Sequence, residues 1–328
     1  MKAPISILRP DANRVDAERT GFGRFANLIT PKTADPEIDR RPSPPPPAIE
    51  RAIAAARLRE LEASFDPIAG LVLCNFRFAS RPSFTRQLLE DIGTVQDIII
   101  ANETDGRADD VRYVAWASKT PGIWNLGGDL DLFAQLIRAQ DRDALLRYAY
   151  TVVGEGYRNH LAFDLPLVTI SLVQGDALGG GFEAALSSNV IIAERRARFG
   201  LPEVLFNLFP GMGAYTYLSR RITPGIAERM ILSGRIYSAA ELYEMGVVDI
   251  LCEDGGGHEA LYAFMSRNEQ RHRMQRAVYA ARRRINPITR NELEEIAASW
   301  VDLALQLSER DLRVMSRLVA AQDRRRQA

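Results

Sequence analysis

The chain has 328 residues, 46% hydrophobic and 26% charged, values that supply a large core and exclude global disorder. Lys and Arg number 42 against 42 Asp and Glu, so the basic excess of a phosphate-neutralising protein is missing and no nucleic-acid partner is expected. The 2 cysteines, Cys74 and Cys252, show no CxxC spacing and the 3 histidines form no HExxH. That argues against a disulfide framework and a zinc site, and no metal or redox cofactor is implied.

Residues 1–48 read as an extension. Pro44, Pro45, Pro46 and Pro47, preceded by Arg40, Arg41 and Pro42, favour an extended polyproline II linker and forbid helix or central strand. The segment reads either as a flexible tail, disordered or loosely docked, or as a recognition motif for a partner. Arg9, Asp11, Arg14, Asp16, Glu18 and Arg19 interrupt any signal-peptide core. No apolar run approaches the roughly 20 residues of a membrane span, so a cytoplasmic protein without a membrane span is expected.

A body over 49–260 follows, opening with a helix over 49–63 of high intrinsic propensity. LVLCNF (71–76) predicts a strand, Ser83 to Ile92 a helix with Ser83 as N-cap, and 111–117 a second strand. Beyond a glycine turn at 125–128, residues 130–160 predict helix. LVTISLV (167–173) is almost wholly apolar and β-branched, as suits a strand buried on both faces. Gly179, Gly180 and Gly181 come next, with helix from Phe182, and VIIA (190–193) is a further strand. Ser238 and Glu241 form an S-x-x-E capping box, and VVDIL (247–251) is the last strand.

Residues 261–328 predict a helical subdomain. Thr289 and Glu292 form a second capping box. Leu293, Ile296, Ala297, Trp300, Ala304 and Leu307 share one helical face, and Leu312, Met315, Leu318 and Val319 repeat the pattern. Arg271, Arg273, Arg276, Arg282, Arg283 and Arg284 form a local basic run. It is either a solvated helix face or a docking surface for an acidic carrier protein or coenzyme A phosphates. Alternating strands and helices with a helical last part indicate an α/β class.

The chemistry concentrates in QGDALGGGFEAALS and the PEVLFNLFPGMG that follows. A buried strand running through three glycines into a helix aims free backbone N–H groups at whatever sits there. Glu183 lies one turn into that helix, Glu203 lies in LPEV, and a second glycine pair, Gly127 and Gly128, precedes Asp129. Two glycine turns offer two donors, and two carboxylates offer an acid and a base.

Strand–GxALGGGFE–helix, the upstream GGD and the downstream PE resemble the crotonase (enoyl-CoA hydratase/isomerase) superfamily. QGDALGGGFEAALS, PEVLFNLFPGMGAY and WVDLALQL are most similar to its bacterial diffusible-signal-factor synthases, over roughly residues 66–322. The resemblance implies a crotonase-like repeated ββα spiral whose C-terminal helices close the site and mediate trimers or hexamers. It implies an acyl thioester substrate, with the N–H groups of Gly128 and Gly180 as oxyanion hole and Glu183 and Glu203 as catalytic carboxylates. Loss of one such fixed donor typically costs about 3–4 kcal/mol in the barrier. Many isomerases and dehalogenases of the superfamily keep one carboxylate, so the pair favours water elimination or addition.

The subgroup dehydrates 3-hydroxyacyl groups on acyl carrier protein (ACP) to cis-2-enoyl thioesters and hydrolyses these to a free unsaturated fatty acid, a quorum-sensing signal. Gly127, Leu178, Gly179, Met212, Trp300 and Leu318 match its substrate-binding positions. Some members are held inactive by the receiver domain of a sensor kinase. The alternative is a conventional enoyl-CoA hydratase/isomerase of fatty-acid catabolism, and a third reading is a non-catalytic scaffold.

Overall fold

The computed structural model describes residues 47–104 and 111–327. The extension expected over 1–48 lies outside them, save Pro47 and Ala48. α1 (Ala48–Ala55) leads into a hairpin of β1 (Leu61–Asp66) and β2 (Leu71–Phe76), and then α2 (Arg86–Thr104). β3 (Tyr113–Ser118), β4 (Ile123–Asn125) and α3 (Leu130–Arg138) form one ββα turn, with α4 (Arg142–His160) after it. β5 (Val168–Val173), β6 (Asp176–Leu178) and α5 (Gly180–Leu186) form the next. β7 (Val190–Glu194) and β8 (Arg198–Gly200) begin a third, in which a 3₁₀ helix, Pro202–Phe206, stands in the helix position. α6 (Ala214–Leu218), α7 (Pro224–Ser233), β9 (Ile236–Ser238), α8 (Ala239–Glu244) and β10 (Ile250–Cys252) follow. The chain continues as α9 (Gly257–Asn268), α10 (His272–Ile285), α11 (Arg290–Ala304) and α12 (Glu309–Gln327).

In each turn the longer strand joins a six-stranded sheet, β1-β2-β3-β5-β7-β10, and the shorter strand a four-stranded sheet, β4-β6-β8-β9. Among the described residues, only β1–β2 and β8–β9 pair antiparallel. Strands β3, β5 and β7 are buried along their whole length, which is why they read as nearly continuous apolar runs. Leu261, Phe264 and Met265 of α9 cover one face of the large sheet. The main core lies on the other face, where α11 packs on α4 and α12 on α3. This is the expected α/β architecture, a repeated ββα core with helices at its C-terminal end. Among the described residues, no helix is long and apolar enough to cross a membrane.

Several element boundaries differ from expectation. The helix expected over 49–63 stops at Ala55, because Leu61–Asp66 pairs with β2 from Leu61↔Phe76 to Asp66↔Leu71; tertiary pairing overrides local propensity. α2 starts at Arg86 and not near Ser83, with the Thr85 hydroxyl accepting from the Leu88 N–H at 3.0 Å. The helix expected over 130–160 is two. Gln140 takes φ 53° and the Asp141 carboxylate caps α4 by accepting from the Ala144 N–H. The helix expected from Phe182 begins at Gly180. The last strand covers only Ile250–Cys252, since the N–H groups of Val247 and Val248 return to Leu242 O. The Ser238/Glu241 box is complete. At Thr289 only half of the box forms. Its hydroxyl accepts from the Glu292 N–H, but the Glu292 carboxylate turns away to Thr216 and Arg220. The basic run is not a uniform solvated face either: Arg276 donates to Pro166 O and Arg282 to Asn189 O.

A Cβ at Gly181 would stand 2.1 Å from the carbonyl oxygen of Asn125, a backbone atom that cannot move aside cheaply. Gly181→Ala should therefore lose about 1–3 kcal/mol, read as a shift in the denaturation midpoint.

Candidate functional site

Three neighbouring strands of the small sheet end at the same level. β4 pairs with β6 and β6 with β8, and the Gly179 N–H donates to Gly200 O at 2.8 Å. The segments leaving them are therefore neighbours: Gly127–Gly128 after β4, Gly179–Gly180 after β6, and the 3₁₀ helix with Glu203 after β8. Gly127 (φ 96°) and Gly179 (φ 52°) hold backbone conformations that L side chains rarely adopt. A Cβ on Gly127 would stand 2.9 Å from the N of Gly180, and one on Gly180 3.4 Å from the N of Gly128, so the two turns touch.

The donors around these turns are largely spoken for. Gly127 N–H donates to Asn125 Oδ1, and Asp129 N–H to the Tyr148 hydroxyl. Asp129 itself caps α3 by accepting from Leu132 N–H, which assigns that carboxylate to structure. Gly180 opens α5, so its N–H has no acceptor within the helix. The loop before α2 is pegged to the same place, with Phe84 N–H donating to Gly127 O and Leu126 N–H to Pro82 O.

Glu183 is 2% exposed. Its position follows from its neighbour: Phe182 packs edge-to-face on Phe199 of β8, centroids 5.2 Å apart, a contact of about 0.5–1.5 kcal/mol beyond burial. Glu183 Oε1 accepts from the N–H groups of Met212 and Ala214, at 2.8 and 2.9 Å. Those donors belong to the FPGMG segment and the start of α6, and α6 and the turn after it are tied to α11 by Thr216 and Arg220 on Glu292. The other end of α5 is held by a buried network. Asn159 accepts from Trp116 Nε1 and donates to the hydroxyls of Ser187 and Ser188.

Burial raises the Glu183 carboxyl to about 7, against which its two backbone donors act. Glu203 is raised well above the ordinary carboxylate range, first by burial and then by the charge of Glu183. Glu203 Oε2 is sealed from solvent and makes no hydrogen bond within the protein. An unpaired buried oxygen favours the neutral acid, and a carboxylate that accepts two N–H groups favours the anion. The environments thus treat the pair unequally, and Glu183 is the easier of the two to ionise.

Both carboxylates line one cavity of about 220 Å³, larger than the ~150 Å³ apolar cavity that admits benzene. Gly128, Leu178, Gly179, Gly180, Met212, Trp300 and Leu318 line it with them. Gly127 does not; it lies in the turn beneath. Trp300 is 4% exposed, seated against Gly211, where a Cβ would stand 2.3 Å from its Cγ. Its ring also meets Phe133, centroids 5.1 Å apart. Trp300 is thus packed and cavity-lining at once. Phe133, Leu208 and Ile236 also belong to the apolar wall and were missed in the sequence. The buried face of α3 was a signal for Phe133; Ile236 reaches the cavity only through the β8–β9 pairing.

The sequence profile of the enoyl-CoA hydratase/isomerase family matches residues 92–296. A probable mitochondrial enoyl-CoA hydratase 2 from Arabidopsis thaliana is 32% identical over 150 residues, 45% of this chain and 47% of that protein. Mitochondrial methylglutaconyl-CoA hydratase from Rattus norvegicus is 27% identical over 207 residues, 63% of this chain and 61% of that protein. The chain thus spans between about half and three fifths of the length of these curated relatives. The structure of Pseudomonas aeruginosa DspI superposes with a TM-score of 0.58 at 24% identity, covering 75% of this chain and 95% of that one. With the family profile matched across most of the ββα core and the fold shared with DspI, the chain belongs to the enoyl-CoA hydratase/isomerase family of the crotonase superfamily.

Proposed function

We propose that the protein is a dehydratase and thioesterase that converts a 3-hydroxyacyl thioester into a free cis-2-unsaturated fatty acid, the signal class of the synthases its motifs resemble. The observation that carries the reading is the split carboxylate pair in one apolar cavity beside two touching glycine turns. Glu183, the ionised member, takes the proton alpha to the carbonyl. The N–H groups of Gly128 and Gly180 hold the enolate oxygen. Glu203 gives its proton to the 3-hydroxyl, which leaves as water. Water then attacks the same carbonyl, and the C–S bond breaks to release acid and thiol.

The acyl tail occupies the cavity between α3 and the last two helices, against Leu178, Met212, Trp300 and Leu318. The thioester carrier is ACP or coenzyme A. The exposed Arg271, Arg273 and Arg284 offer an acidic carrier a docking face. A cytoplasmic homo-oligomer, trimer or hexamer, and inhibition by a receiver domain belong to the same proposal. A conventional enoyl-CoA hydratase is the second reading, favoured by the names of the curated relatives.

Incubation with 3-hydroxyacyl-ACP and mass spectrometry of the products separates the two. Free cis-2-enoic acid supports the synthase; a product mixture confined to hydroxyacyl and trans-enoyl thioesters supports the hydratase. Glu183→Gln and Glu203→Gln should each lower kcat by about 10²–10⁴-fold, and wild-type acid release from both would end the assignment. kcat/KM should climb as pH rises through about 7, where Glu183 ionises, and decline at higher pH as Glu203 loses its proton. The two limbs belong to the coupled pair, and a pH-independent rate between 5 and 9 would contradict these roles. Trp300→Ala, with the half-buried Leu318→Ala as the gentler companion, should shift chain-length preference upward in competition between acyl chains of different length.

A further inference from the structure

A second chamber adjoins the first. It is roofed by Phe84, Trp116 and Trp124, and it shares Gly180, Glu183 and Met212 with the acyl cavity. Its size is about 50 Å³, against the ~10–15 Å³ of probe volume that one water needs. Its walls are mainly aromatic and aliphatic, yet two polar atoms on residues that line it lack partners: Gln96 Oε1 and the Tyr217 hydroxyl, both buried and without a hydrogen bond in the protein. Leaving such groups unpaired costs about 1–3 kcal/mol each. Both residues approach the same turn of α4. Gln96 Nε2 donates to Glu155 O at 3.2 Å, and the Tyr217 hydroxyl lies 3.6 Å from where a Cβ on Gly156 would stand. Glu155 and Leu89 line this chamber and also an open groove between α2 and α4 that contains Arg86, Asp97 and Arg147. The Glu155 side chain is 18% exposed and pairs with Arg158.

A chamber too small for an acyl tail, with orphaned polar atoms and a carboxylate at its outer end, suits water. We propose that it is a water port, linking Glu183 to the α2–α4 groove through Tyr217, Gln96 and Glu155, and supplying the water that cleaves the thioester while the acyl group fills the main cavity. The inference rests on the dehydratase–thioesterase reading and assigns Glu183 as the base of its second step. Elimination releases one water and thioester cleavage consumes one, so hydroxyacyl thioester becomes enoic acid and thiol with no net water. Glu183 first passes the proton it took in elimination across the shared cavity to Glu203, which had given one up. In cleavage the water oxygen then bonds to the carbonyl carbon and its proton passes to Glu183. The C–S bond then breaks and the thiolate takes that proton. With the main cavity occupied by substrate, the second chamber gives Glu183 a further side from which water can arrive.

Two measurements test the port. A high-resolution crystal structure of the unliganded protein should show ordered water within hydrogen-bond distance of Gln96 Oε1 and the Tyr217 hydroxyl. A dry chamber, or the tail of a bound acyl ligand inside it, would overturn the proposal. In single-turnover assays, Gly156→Leu, which fills the chamber, and the isosteric Tyr217→Phe, which removes one orphan hydroxyl, should slow acid release by about tenfold or more, roughly 1.4 kcal/mol. Enoyl thioester should accumulate, and affinity for a non-hydrolysable acyl thioether should not change. Acid release at the wild-type rate from both folded variants would refute the port. Absence of acid release from the wild type would instead refute the functional reading, leaving the crystallographic result to decide whether the chamber carries water.

Discussion

Strand pairing in the small sheet is the constraint on which the site depends. β4, β6 and β8 are only three residues long each, yet their parallel pairing sets three loop segments side by side at one edge. Parallel pairing requires crossover connections, and here the crossovers run through the large sheet. The buried strands β3, β5 and β7 therefore act at a distance: they hold the repeat in register, and the register brings Gly128 against Gly180 and Glu203 beside Gly179. A cavity assembled this way needs no single element to carry the whole chemistry. It needs the repeat to be regular.

The second constraint is electrostatic. Two carboxyl groups removed from water would both prefer to be neutral, and the fold treats them unequally. Glu183 receives two backbone donors from a segment braced by α11 through Glu292. Glu203 Oε2 receives none. The helical end of the chain therefore has a chemical consequence, because Glu292, Arg220 and Thr216 fix the loop that supplies those donors. Trp300 connects the same helix to the main cavity, so the packing of α11 bears on both charge and shape.

Much of the fold was legible along the chain where burial was complete. LVLCNF and LVTISLV read as strands because strands covered on both faces are nearly continuous apolar runs. The readings failed where a local preference met a long-range one. Leu61–Asp66 follows a stretch rich in helix formers but pairs with β2, and Thr289–Glu292 has the letters of a capping box while Glu292 is taken by Arg220. The site was legible in its glycines and carboxylates, since few residue types permit φ 52° at Gly179 or two glycine turns in contact. Ile236, Leu208 and Tyr217 were not, for an apolar or aromatic residue looks alike in a core and in a cavity wall.

Sequence alone determined the class of fold, the places where the backbone must turn without a side chain, and the presence of two acidic groups in motifs of one superfamily. These are local properties, set by dihedral freedom and by the alternation of apolar runs. Only the tertiary structure decided that both acids share a cavity, which of them ionises more easily, and that a second chamber also borders Glu183. Those depend on distances between residues far apart in the chain, and on which buried polar atoms find partners, and neither is written in any short stretch of it.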